Sequence, residues 1–396
     1  MPAPRSLLSR EAQLLLLTAG GPSNDAPLRR LLASELDWRA LGALARAEQA
    51  TAFVWRRLQR LEADRLPLDA ATAWRKLAMV SEFDSLRLEQ RLHEAVGALA
   101  TRGVEVMLLK GSALAYTTYS SFADRPMRDV DLLVRPEHAR EAWSVLQTSG
   151  WSPSTQWPAE WYTGHQHLPP LVDVQAERFR LELHTELFPS GHPFRLLADA
   201  LWPVAKTVHL DRHTARVPNP VQQLVYICIH FAWSHMMQWG SWRTFRDVEA
   251  TTDGSDMLWE RLVDLARESR ATTCCFWTLR LARNLVCVQV PEDVLRALRP
   301  PLPEFLLDRL ERHYALQLFP TENRCPSVRL GRRLWELGIA PRWSGHGVTH
   351  PGRMAWVDPA ALPEASNTWP RRIRRLGAVV GYLGRIAGTP GHSAAL

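Results

Sequence analysis

The chain has 396 residues, 46% of them hydrophobic and 22% charged, an ordinary globular composition that excludes a disordered or fibrous protein and leaves room for two or three domains. Its formal charge of +7 suits an anionic ligand such as a nucleotide, but the excess is mostly arginine scattered along the chain and is weak evidence for nucleic acid, a partner that stays open without a supporting motif. The five cysteines (Cys228, Cys274, Cys275, Cys287 and Cys325) form no C-x-x-C pair and no zinc-type Cys/His spacing, which argues against a zinc module and for reduced thiols in a cytoplasmic protein.

Apolar residues at helical spacing predict helices through the first 102 residues: Leu36, Leu41, Leu44 and Ala45, then Ala52, Val54 and Leu58, then Leu86, Leu92, Ala95, Val96 and Leu99. The leucine run 14–17 follows Arg10 and Glu11 and is too short for a signal core or a membrane span. Gly103 stands where the last of these helices would be capped.

The period then changes. Residues 104–109 form a short apolar run expected to be a buried strand, ending at Lys110-Gly111-Ser112. A short helix is expected over 113–119, broken at Arg125-Pro126, and a second strand over 130–134. Pro136 opens a helix with Ala139, Ala142, Val145 and Leu146 on its apolar face, closed by Gly150. Residues 179–184 alternate, with Phe179, Leu181 and Leu183 on one side and Arg180, Glu182 and His184 on the other, as in a half-buried strand.

From Pro218 the helical period returns through Val221, Leu224, Val225 and Cys228 towards His235, with further helices expected over 257–268 and 274–288. Residues 342–367 are rich in Pro, Gly and Trp and read as irregular. The cluster Arg371-Arg372-Ile373-Arg374-Arg375 and the short apolar segment 376–386, interrupted by Arg385, read as a basic terminal helix docked on the core, with no stable membrane insertion. The expected architecture is α+β: a helical region over 1–102, a small mixed-sheet core over 103–215, a helical domain over 216–340, and an irregular tail with a basic helix over 341–396.

The chemistry concentrates in the mixed core. Asp129 and Asp131, two apart on a strand, point to one face and make a pair suited to bridging metal ions. Gly111 lets a backbone approach phosphate oxygens, and Ser112 offers a hydroxyl at a helix N-terminus, which favours anions. Glu182 is the best third carboxylate, able to hold metal or take the proton of an attacking hydroxyl. Arg125 and Arg128 flank the acid pair and either touch phosphate or neutralise the acids, and Lys110 is a further phosphate contact. His165 and His167 read as a loop pair near such a ligand, and His184 shares the face of Glu182. His230, His235 and Asp247 among Trp233, Trp239 and Trp242 read as helix packing, or else as a wall over a base or acceptor. There is no P-loop, no H-E-x-x-H and no G-x-S-x-G around a nucleophile.

The order of an apolar strand, K-G-S, a short helix, R-x-x-R-D-V-D-L-L-V and then L-E-L-H resembles the nucleotidyltransferase superfamily that includes DNA polymerase β. It looks more closely like a bacterial branch of uncharacterised nucleotidyltransferases. The resemblance covers residues 104–184, with a weaker echo at Leu36-Asp37-Trp38, at His230 and over 242–247. It implies that Gly111 and Ser112 match the phosphate-binding turn, that Asp129 and Asp131 match the metal-binding pair, and that Glu182 matches the third acid, where many relatives carry Asp. The activity implied is metal-dependent (Mg2+ or Mn2+) transfer of a nucleoside monophosphate from an NTP to a hydroxyl, with release of pyrophosphate. The hydroxyl stays open among protein, RNA, peptide and small-molecule acceptors. The alternative is a nucleotide- or partner-binding protein on the same scaffold without turnover.

Overall fold

The computed structural model describes residues 4–62, 67–154, 162–253, 258–319, 323–339 and 369–388. The segment expected to be irregular, 342–367, lies outside the described residues. The chain divides into two compact units, one made of Ala45–Ile227 and Ala250–Arg270, the other of Met1–Leu44, Cys228–Glu249 and Ala271–Leu396.

The first unit holds a seven-stranded mixed sheet. Its strands are β1 (Met107–Leu109), β2 (Asp129–Leu133), β3 (Trp151–Pro153), β4 (Leu171–Asp173), β5 (Ala176–His184), β6 (Lys206–Leu210) and β7 (His213–Val217), in the order β3-β4-β5-β2-β1-β7-β6. The β2–β5 and β1–β7 pairs are parallel, and the rest are antiparallel. The fold is therefore α+β, with helical regions before and after the sheet in sequence.

Period-2 alternation decides which side chains face the helices. Leu108, Val130, Leu132, Phe179, Leu181 and Leu183 join one core with Leu88, Leu92, Ala95, Val96 and Leu99 of the helix Leu68–Ala100 and with Ala139, Ala142 and Leu146 of the helix Ala139–Thr148. The opposite face is left to the residues between them, including Asp129, Asp131, Glu182 and His184. Arg91 ties the long helix to the sheet edge. Its guanidinium donates to the Ser149 and Gly150 carbonyls, lies over the Trp151 ring, and sits 3.4 Å from the fully buried Asp173 carboxylate.

Three expectations are adjusted. The short helix expected over 113–119 spans Lys110–Thr117, three residues earlier. The helix opening at Pro136 begins as a 3-10 turn, Pro136–His138, before Ala139–Thr148. The helix running towards His235 is α-helical over Pro220–Ile229 and then widens into a π-turn, His230–Ser234.

The second unit is helical. Ser9 caps the helix Arg10–Thr18 by accepting from the Ala12 N–H, and the leucine run 14–17 is buried as core. The Asn24 side-chain amide donates to the Leu17 and Val286 carbonyls at 2.9 and 2.7 Å, joining the start of the chain to the helix Thr272–Val286. On the terminal helix Trp369–Ala387, the buried Tyr382 hydroxyl lies 2.6 Å from His313 Nδ1 and accepts from Gln317 Nε2 at 3.1 Å. No described helix is long and apolar enough to cross a membrane.

Candidate active site

Two parallel strands in register bring the site together. Asp131 of β2 is the direct partner of Glu182 of β5, so both carboxylates leave the same face side by side. His184 follows Glu182 by two residues and returns to that face. Among the described residues, Asp131, Glu182 and His184 form the one group of three with metal-ligand character, their ligand atoms all within 4.8 Å of one another.

The contacts within it are specific. Lys110 Nζ donates to Asp131 Oδ1 at 2.8 Å, and His184 Nε2 lies 2.9 Å from the same oxygen. His184 Nε2 is also 3.5 Å from Glu182 Oε2. His167 comes near because its backbone bridges His184, and its Nε2 stands 3.8 Å from Glu182 Oε2. His165 touches the group only through its ring, with its centroid 5.7 Å from that of His167.

Burial works against every charge here, and pairing overrides it. For Asp131, 4% exposed, burial raises the carboxyl, but the Lys110 ammonium and His184 hold it well below the usual carboxylate range. Burial and the Asp131 charge raise Glu182, but the His184 hydrogen bond together with Lys110 and His167 outweighs them, so this carboxyl too is lowered. Burial lowers His184, yet its bonds to Asp131 and Glu182 leave it raised. Lys110 follows the same logic: burial lowers it, and Asp131, then Tyr226 and Glu182, push it above the ordinary lysine value. His167 is lowered, chiefly by burial.

Lys110 opens the helix Lys110–Thr117 with φ +49°, in the left-handed region. A lysine there is strained, and such strain collects at functional sites. The helix has no side-chain cap at its N-terminus, which leaves that end suited to an anion. Gly111 leaves room for the Arg125 guanidinium, which a Cβ would meet at 3.2–3.3 Å, a tight contact that the arginine would have to relieve by shifting. Ser112 is fully buried, and its Oγ accepts from the Asp131 backbone N–H at 3.3 Å. It thus ties the turn to β2.

Of the residues picked from the sequence, Lys110, Asp131 and Glu182 stand in one cluster, Ser112 bonds its backbone, and Gly111 and Arg125 stand at the turn. Asp129 and Arg128 are exposed at the start of β2, with Asp129 opposite Arg180 in register. Trp242 is fully buried and its Nε1 donates to Thr18 at 2.9 Å, which makes it a packing residue. The Lys110–Asp131 bond and the bridging position of His184 escaped sequence reasoning. The L-E-L-H alternation that put His184 beside Glu182 was the signal for the second.

A divalent cation fits this donor set. Buried Asp131 and half-buried Glu182, side by side, supply the oxygen ligands that Mg2+ and Mn2+ prefer, and an imidazole at the same point moves the preference towards Mn2+. A mixed sheet carrying such carboxylates beside a glycine-containing helix start fits the nucleotidyltransferase class. The model of the family described as "uncharacterised nucleotidyltransferase" matches residues 34–286, and the chain belongs to that family. Searches of curated proteins and of solved structures found no match.

Proposed function

We propose that this protein transfers a nucleoside monophosphate from an NTP to an acceptor hydroxyl and releases pyrophosphate. The observation that carries the reading is the in-register pair Asp131 and Glu182 beside the Lys110-Gly111-Ser112 helix start, in a chain of this family. Asp131 and Glu182 would hold Mg2+ or Mn2+, with Asp129 two residues along the same strand face as a third carboxylate. A cation bound there supplies charge neutralisation for the triphosphate.

The chain's own groups do the rest. Lys110, Arg125 and Arg128 bind the polyphosphate, with the Gly111 and Ser112 backbone at the helix start. Glu182, kept ionised by His184, accepts the proton of the attacking hydroxyl. The new bond joins that oxygen to the α-phosphorus, the bond to the β-phosphate oxygen breaks, and pyrophosphate leaves with the electron pair. Catalysis of this kind is mainly positioning and electrostatics.

The test is to incubate the full chain with each α-labelled NTP, Mg2+ or Mn2+, and cell extract fractionated into protein, RNA and small molecules. Label is expected in one class of acceptor, with matching pyrophosphate release. Asp131→Asn and Glu182→Gln are each expected to lower the rate by at least about a hundredfold. Turnover undiminished in both variants sinks the mechanism, and NTP binding without label transfer in any fraction leaves the non-catalytic binding protein.

A further inference from the structure

The place where a metal would be wanted is shared with a cation the chain already owns. Lys110 Nζ lies 2.8 Å from Asp131 Oδ1, the same oxygen that His184 approaches at 2.9 Å and one of the group with metal-ligand geometry. The Lys110 side chain is 18% exposed. An ammonium so held is a strong partner, because few water molecules compete with it.

We infer that Lys110 is a resident counter-ion of the carboxylate pair: it keeps the site from taking a free divalent cation, and it yields only when a polyphosphate offers the ammonium another partner. This rests on the nucleotidyltransferase reading and adds to it the order in which ligands arrive.

Charge balance carries the argument. Within the cluster Asp131 and Glu182 bring two negative charges, Asp129 lying exposed at the start of β2. Lys110 already answers one, and His184 stands against both acids and would answer the other when protonated. A doubly charged ion added alone would place three positive charges against two in a buried site, with the Arg125 guanidinium next to Gly111 besides. Same-sign charges at such distances, poorly screened by water, are costly. A metal ion arriving with a triphosphate brings a surplus of negative charge instead, and the ammonium can turn to it. The geometry makes that turn a short one. Lys110 is the first residue of the helix Lys110–Thr117 and precedes Gly111, so its stem starts at the phosphate-facing end of the helix.

The experiment measures protein-retained Mn2+ by equilibrium dialysis, first with Mn2+ alone and then with Mn2+ and a non-hydrolysable NTP analogue, each against the same solution without protein, because the analogue chelates Mn2+ by itself. The full-length wild type, Lys110→Gln and Lys110→Arg are compared, with circular dichroism to check folding. The wild type is expected to bind free Mn2+ weakly, at about millimolar or worse, and to retain it once the analogue is present. Lys110→Gln is expected to bind free Mn2+ at least about tenfold more tightly, and Lys110→Arg to behave as wild type. Micromolar binding of free Mn2+ by the wild type overturns the inference whether or not the Gln variant folds, and so does equal affinity in a folded Lys110→Gln. Should no variant hold Mn2+ even with the analogue, the nucleotidyltransferase reading itself fails and takes this one with it. Retention with the analogue together with tight binding without it refutes the counter-ion role alone.

Discussion

At the scale of single residues, buried groups of this protein keep or lose their charge according to their partners. Asp131 and Lys110 keep theirs because each faces the other at hydrogen-bond distance, and His184 is raised by its bonds to Asp131 and Glu182. Among the described residues, His313 has no such partner. It is 2% exposed, and burial pulls its imidazole down to about 3. The folded state therefore holds His313 neutral while the unfolded chain protonates it below its ordinary value, near 6.5. Between those two values the unfolded state binds the extra proton, so stability falls as the pH falls, by up to about 1.4 kcal/mol per pH unit, and is unaffected above the ordinary value. His167 and His192, also lowered by burial, act with the same sign, so the informative quantity is the difference between variants. His313→Gln is expected to flatten the loss seen in urea unfolding between about pH 6.5 and 5. An unchanged slope would show that His313 protonates without cost.

At the scale of elements, the long helix Leu68–Ala100 is tied to the sheet edge by a polar residue as well as by its apolar face. Arg91 serves the Ser149 and Gly150 carbonyls, the Trp151 ring and the buried Asp173 carboxylate at once. Arg91→Ala strands that carboxylate and is expected to cost about 3–5 kcal/mol, read as a lowered urea midpoint with an unchanged m-value. Arg91→Ala together with Asp173→Ala should recover part of the loss, and a double variant no better than the single would refute the pairing. The elements also mark where sequence reading stops. β1, β2 and β5 were legible because each alternates or runs apolar against a single core. β3 and β4 are three residues long, and β6 shows mostly exposed side chains, so neither pattern nor length sets them apart from loops. The early start of the helix at Lys110 was hidden because left-handed φ at a lysine has no sequence signature. Asp131 and Glu182 were each legible as acids on strands, but the sequence pairs Asp131 with Asp129, and only the β2–β5 register sets it beside Glu182. The Lys110 bond to Asp131 was not legible, since it depends on which strands are neighbours and on the turn between them.

At the scale of the whole molecule, the two units differ in how the chain builds them. The helical unit is assembled from separated stretches, and Asn24 is one of its clips, bonding Leu17 and Val286 through one buried amide. Asn24→Ala leaves two buried carbonyls without that donor and is expected to cost about 2–3 kcal/mol, measurable as a lower thermal midpoint. A loss below about 0.5 kcal/mol would mean that other groups satisfy those carbonyls. The sheet unit, in contrast, runs almost unbroken from Ala45 to Ile227, with one later return. A ribosome releases residues in order, and domains tend to fold as units as they emerge. Every candidate site residue, from Lys110 to His184, thus leaves the ribosome before the second stretch of the helical unit has been made. The face that carries Lys110, Asp131, Glu182 and His184 can take shape while the first 44 residues still wait for the partners that complete their own unit.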